Sequence, residues 1–311
     1  MNNNIVDEVE MDTQTLKYIG KDLYKTHILK EWKRYIVFMT RCHLHKGQIN
    51  DLLDFFKATP QRQAMLEHTT SFVEQTTRAF FYKDSTWDER IAIVKNHIEY
   101  MENIFNDEAI AKLYVNGERI RLWEDVYEEQ PVVMELWFHG GQRKEGCLSL
   151  VLSLGEDELY QIMFWLAPSP EDNELSLWIG ALQGTPNGSE IIKGLTKAFF
   201  GYRTKNLIFY GIRNVAAGLG CKHLYAVSNA GYYAMNHVRR DRKLKTSLDD
   251  FWQECEGKVC KDQRFFEMPI EEYRKSMEEL KPSKRAQHRR RFAKMDEITE
   301  SVTEVLNNYK K

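Results

Sequence analysis

The sequence predicts a mixed α+β protein: an N-terminal helical layer, then a mainly antiparallel mixed sheet with one strand–helix–strand crossover. Three observations predict it. Apolar residues recur at helical spacing from Asp12 to about Asn106. Beyond Leu113, short apolar runs separated by turn residues replace that period. Between Leu175 and Val227 the order is strand, glycine-punctuated turn, helical sequence and strand, the order by which α/β proteins build a ligand crevice.

The helical half is read first. Leu16, Ile19, Leu23 and Tyr24 share one face, and Ile28, Trp32, Tyr35, Ile36 and Met39 share another. A third helix is expected over 49–56, ending near Pro60, whose missing N–H suits the first turn of a helix over 61–67. Ser85 is the expected N-cap of a helix over 86–105, with Asp88 and Glu89 in its first turn. His97 lies on that helix among apolar neighbours and reads as a packed histidine. The many aromatic residues of this half read as core, with an apolar groove as the alternative.

Strands are expected over 120–122, 132–138, 148–154, 159–166 and 175–182, joined by short turns and therefore antiparallel. The near-continuous apolar run over 159–166 predicts a strand covered on both faces. Glu135 and Glu145 fall in this meander as candidate general bases, and His139 precedes Gly140-Gly141 at the end of a strand. After the pivot strand comes Gln183-Gly184-Thr185-Pro186-Asn187-Gly188-Ser189, then a helix bearing Lys193 and Lys197. Backbone N–H groups of such a turn can cradle a phosphate. The alternative is a capped turn, with Asn187 or Ser189 as N-cap. A second helix over 205–217 stops at Gly218-Leu219-Gly220, and a strand over 223–227 leads to Asn229-Ala230-Gly231-Tyr232-Tyr233.

With 44 Lys and Arg against 46 Asp and Glu, the formal net charge of −2 gives no global pull toward nucleic acid or anionic membrane. Two basic clusters stand out, at 239–245 and 281–294. Arg203, Arg239, Arg285 and Arg289 are the candidate anion-binding residues, since arginine suits phosphate recognition; a solvated face balanced by nearby glutamates is the alternative. Five scattered cysteines with no C-x-x-C pair argue against a disulfide framework and a zinc site, and no metal is expected. The polar, acidic start is unlike a signal peptide, and no apolar run approaches the roughly 20 residues that span a bilayer, so a cytoplasmic location is expected.

The order of meander, pivot strand, helix, strand and Asn-Ala segment resembles the acyl-CoA-dependent N-acetyltransferase (GNAT) fold. That resemblance implies acyl-CoA as cofactor, with its pyrophosphate on the helix after the pivot strand. Gln183, Gly184, Gly188, Ser189, Lys193 and Lys197 would then hold it. It also implies a tyrosine after the Asn-Ala segment, Tyr232 or Tyr233, as acid toward the departing thiolate.

A second resemblance covers roughly residues 80 to 300. Glu145-Gly146-Cys147-Leu148, Ile179-Gly180-Ala181-Leu182-Gln183-Gly184, Gly201-Tyr202-Arg203, Val227-Ser228-Asn229, Phe251-Trp252-Gln253-Glu254 and the run from Lys281 to Phe292 are similar to the VirK/YbjX family of bacterial proteins. That resemblance implies a link to virulence and to survival against cationic antimicrobial peptides, with no established catalytic residue. Three regions are expected: helical over 1–110, a GNAT-like sheet core over 111–268, and a basic helical tail over 269–311 packing on the core. The functional expectation is an N-acyltransferase-like enzyme acting on an envelope-related amine, with a phosphate-bearing small molecule or anionic envelope precursor as partner. The alternative is a non-catalytic module of the same fold, holding an anionic or protein partner.

Overall fold

The computed structural model describes residues 12–138, 144–185, 188–236 and 247–311. Arg239, the basic run around it, His139 and Asn187 lie outside the described residues.

Among the described residues six helices come first: α1 (Thr13–Leu23), α2 (Leu29–Leu44), α3 (Lys46–Lys57), α4 (Pro60–His68), α5 (Ser71–Thr77) and α6 (Trp87–Ile104), followed by a short turn, α7 (Asp107–Ile110). Pro60 opens α4 behind a Thr59 cap, as its chemistry predicts. The cap of α6 falls one residue later than expected. Thr86, not Ser85, caps it, because Thr86 and Glu89 form a reciprocal capping box that Ser85 cannot make. Ser85 instead donates to the Phe80 carbonyl inside a tight loop.

Among the described residues eight strands form one sheet, in the order β1-β2-β3-β4-β5-β6-β8-β7. The first five are the meander: β1 (Arg119–Tyr127), β2 (Gln130–Trp137), β3 (Leu148–Leu154), β4 (Asp157–Pro168) and β5 (Leu175–Gly184). Helices α8 (Ser189–Ala198) and α9 (Thr204–Gly218) carry the chain to β6 (His223–Val227), which pairs parallel with β5. A parallel neighbour needs such a crossover, whereas the meander strands close on short turns. After α10 (Leu248–Glu254), the hairpin of β7 (Lys258–Val259) and β8 (Phe265–Met268) completes the far edge, antiparallel to β6.

Both faces of the sheet are covered, which is why β3 is buried at every position. Helix α9 lies on one face so closely that a Cβ at Gly211 would meet Met134 and Leu150. The closing helix α11 (Pro282–Tyr309) packs along α9, with Met295, Ile298, Val302 and Leu306 buried. On the other face α6 lies over β4. His97 is fully buried there: its Nδ1 accepts from the Leu166 N–H at 3.1 Å, so Nε2 carries the proton toward the Tyr114 hydroxyl, 2.7 Å away. Burial without a countercharge lowers its pKa to about 3, so it packs as a neutral ring that ties helix to strand.

Candidate functional site

Strands β5 and β6 are paired only from Ser176–His223 to Ile179–Ala226. Beyond that point Val227 turns to Phe265 on β8, while β5 continues to Gly184 alongside β4. The parting coincides with a bulge: Met163 faces Ala181 and Phe164 faces Ile179, leaving Gly180 as the extra residue of β5.

The segment leading into β3 crosses this bulge. A Cβ at Gly180 would collide with the Glu145 carbonyl oxygen and the Trp165 ring, and a Cβ at Gly146 with the backbone of Phe164. Two glycines thus let one backbone pass directly over another, a close approach that no larger residue permits. The crossing delivers the Glu145 side chain to the gap. Its Oε1 accepts from the Tyr232 hydroxyl at 2.7 Å and from Gln183 Nε2 at 2.9 Å.

A ribbon from the N-terminal half holds the partners in register. Phe81 N–H donates to the Lys144 carbonyl and Lys83 N–H to the Gly231 carbonyl, both at 2.8 Å, and Tyr82 bridges Tyr232. Phe81 has φ +67° and Asp84 φ +58°, conformations that bulky or branched residues rarely adopt. The buried Arg90 holds this loop by donating to the carbonyls of Thr76 and Ser85. Backbone strain and a buried cation are thus both spent on presenting one short ribbon.

Glu145 is 4% exposed, and burial raises its pKa to about 7 despite the two hydrogen bonds and the nearby Lys144 charge that favour ionisation. Tyr232 is pushed well above the usual phenol range by burial and by the carboxyl it faces. A carboxyl raised toward neutrality facing a phenol is an arrangement in which a proton can be passed, and the exposed Gln183 lies between it and solvent. Tyr233 is buried against the Phe80 and Tyr232 rings.

The other sequence-predicted positions scatter. Gly184 ends β5 against the Tyr160 ring. Gly188, in place of Asn187 or Ser189, is the N-cap of α8, and Ser189 is the helix's first residue. Lys193 and Arg203 come together beside Tyr160, Thr196 and Lys205 around a hollow of about 390 Å³, yet Lys193 pairs with Glu190 and Arg203 with Glu254. Lys197 and Arg289 are exposed. Arg285 donates to the Leu280 carbonyl, and it is Gln287 and Arg291 that reach the Phe200 carbonyl. Glu135 is held between Arg119 and Arg121, a structural ion pair. Among the described residues no group of three His, Cys, Asp or Glu side chains could hold a metal ion, and no helix is long and apolar enough to cross a membrane.

Sequence reasoning missed a large aromatic cleft. About 800 Å³ in volume, it lies on the α6 face over Trp165, Trp178, Tyr225 and Phe265, with Tyr82 as a wall. Trp165 and Trp178 stack at 9° on neighbouring strands, and Tyr225 follows at 4.2 Å on the next. Glu89, Asn96 and Glu171 stand among its polar lining. The aromatic positions were visible in the sequence, but their shared face depends on the bulge and on the parallel register.

Fold and site together define a mixed α+β protein with a buried glutamate–tyrosine pair where its parallel strand pair parts. The chain belongs to the family described as "Protein of unknown function (DUF535)", which it matches over residues 27–304. It is similar to an uncharacterized protein of Haemophilus influenzae, 22% identical over 84% of this chain and 87% of the relative. It is also similar to the uncharacterized protein YbjX of Escherichia coli, 29% identical over 60% of this chain and 57% of that relative. The resemblance to the VirK/YbjX family is therefore borne out. No solved structure matches the chain.

Proposed function

We propose that the chain is an acyl-CoA-dependent N-acyltransferase-like enzyme of the GNAT type, acting on an envelope-related amine. The observation that carries this reading is the Glu145–Tyr232 hydrogen bond at the parting of β5 and β6. Supporting it are the antiparallel meander, the bulge at Gly180, the parallel crossover and the insertion of β8 between β6 and β7. In this reading the amine nitrogen bonds to the thioester carbonyl carbon, Glu145 takes the amine's proton, the C–S bond breaks, and Tyr232 protonates the departing thiolate while recovering a proton from Glu145 across their hydrogen bond. Backbone N–H groups near the bulge would stabilise the oxyanion. The virulence and antimicrobial-peptide links of VirK-like proteins fit an envelope amine as acceptor.

The test is a thermal-shift titration with coenzyme A and acetyl-CoA. A ligand bound only by the folded chain at a hundred times its Kd adds about 2.7 kcal/mol, a rise of several degrees. Tyr232→Phe should keep that rise and lose turnover; no rise with either ligand removes the reading.

The cleft favours a second reading, a non-catalytic binding module. Its aromatic floor suits an apolar body, with Glu89, Glu171 and Asp262 as well as Lys261 and Arg264 on hand for a polar group, and it is larger than the hollow beside α8. Under that reading Arg264→Ala, which removes the guanidinium lying over Tyr82 and Phe265, alters ligand binding while coenzyme A has no effect.

A further inference from the structure

Helix α2 buries only Phe38 and Cys42 of its 16 residues. An ordinary surface helix turns charged residues outward from such a narrow buried stripe. Here the outward arc carries Leu29, Trp32, Ile36, Val37 and Leu44, each between 41% and 72% exposed, with Ile28 at 44% just before the helix. Single exposed apolar side chains need no explanation, but Leu29, Trp32 and Ile36, spaced three and four residues apart with Lys33 and Arg34 exposed beside them, form a short row on one helix, and such a row marks an interaction surface.

The charge around this row is equally specific. Between residues 13 and 46 there are eight Lys and Arg against two Asp and Glu, a surplus of six positive charges in a chain of net −2. Beside the row, between α2 and the end of α5, a hollow of about 180 Å³ is lined by Lys33, Arg34, Arg41 and Arg78 together with Tyr24, Val37, Phe38 and Thr77. Arg34 pairs with Glu31 and Arg78 with Glu74, while Arg41 donates to the Thr77 carbonyl. The exposed Lys33 side chain has no hydrogen-bond or ion-pair partner among the described residues. Four cationic side chains line this one hollow, which is roomy enough for a phosphate group, about one helical turn from the exposed Leu29, Trp32 and Ile36.

We infer that this face docks on an anionic phospholipid surface, with the outward row of α2 entering the headgroup boundary and the Lys33–Arg34–Arg41–Arg78 hollow taking a lipid phosphate. Apolar side chains flanked by lysine and arginine are the pattern of helices that lie in a membrane interface. Each such cation contributes about 1 kcal/mol near an anionic leaflet. A second copy of the chain is disfavoured, because a two-fold interface would set the same positive patch against itself. Nucleic acid is disfavoured too, since the row is mostly aliphatic and offers no series of stacking rings.

Co-sedimentation of the full chain with phosphatidylcholine vesicles, with and without phosphatidylglycerol, tests this. Binding should require phosphatidylglycerol and weaken with added salt. Lys33→Gln and Arg34→Gln should each weaken it about fivefold, and Ile36→Asp should abolish it. All three positions are exposed, so unchanged melting temperatures will show that the fold is intact. Three results would each overturn the inference: no binding or equal binding to neutral vesicles, binding that survives Ile36→Asp and is competed away by inorganic phosphate, or self-association in sedimentation velocity that Ile36→Asp removes. The last would assign the face to a second copy.

Discussion

Replacing Glu145 with glutamine should make the protein progressively more stable relative to wild type as pH rises from about 4.5 to about 7. The folded carboxyl titrates near 7, whereas in the unfolded chain it titrates near the ordinary glutamate value of 4.5. Between those values the unfolded chain has released the proton and the folded chain still holds it. Stability therefore falls with rising pH across this window, by about 1.4 kcal/mol for each pH unit, or about 3 kcal/mol in all. Below the window both states are protonated and above it both are ionised, so the loss appears inside it and then stays constant. Glutamine has no proton to lose, and its amide oxygen can still accept from Tyr232 and Gln183. The stability of Glu145→Gln relative to wild type should thus climb from about pH 4.5 to about pH 7 and level off, whatever constant offset the new amide N–H₂ introduces. Urea unfolding at a series of pH values gives the difference directly. A difference that stays flat with pH, or slopes the other way, refutes the buried protonated carboxyl and with it the proton-handling pair.

Gly180→Ala should lower the urea midpoint by an amount worth about 2 kcal/mol or more, because its methyl meets the Glu145 carbonyl and the Trp165 ring; an unchanged midpoint would show that the crossing is loose. Leu306→Ala, in the buried stripe of α11 against Gly218, should cost about 2–5 kcal/mol in the same assay, and a loss below about 1 kcal/mol would mean that α11 is not integral to the core. His223, between Glu267 and Asp172, has a raised pKa. Its stabilising contribution should be complete below its unfolded value near 6.5 and disappear as pH rises through the folded one. NMR titration of the ring should place the midpoint above 6.5, and a midpoint at or below it would contradict both ion pairs.

Local chemistry made the elements legible and left the site mostly hidden. Strands 148–154 and 223–227 are where their apolar runs place them, because short turns bound both runs. Pro60 and the Gly218-Leu219-Gly220 stop are likewise local signals. The β7–β8 hairpin went unread, since its strands are only two and four residues long. Glu145 and Tyr232 were each singled out, but 87 residues separate them, and nothing in spacing joins them. Their meeting depends on Gly146 and Gly180 permitting a backbone crossing, and on a ribbon from the helical half passing between them. Among the aromatic residues of that half, Phe38, Phe56, Phe72, Phe80 and Phe81 are core as expected, while Trp32 turns outward and Tyr82 walls the cleft.

The lone parallel pairing among the described strands also divides the sheet by folding order. Strands β1 to β5 can zip from neighbouring hairpins, whereas β6 must wait for two helices to form and swing it back alongside β5. The four-residue seam is then the place where the sheet should open first. Native-state hydrogen exchange should release the amides of β6 and β8 together and ahead of those in β2 to β4. Because the glutamate–tyrosine bond spans that seam, such breathing would unmake and remake the proposed catalytic pair without unfolding the rest of the protein.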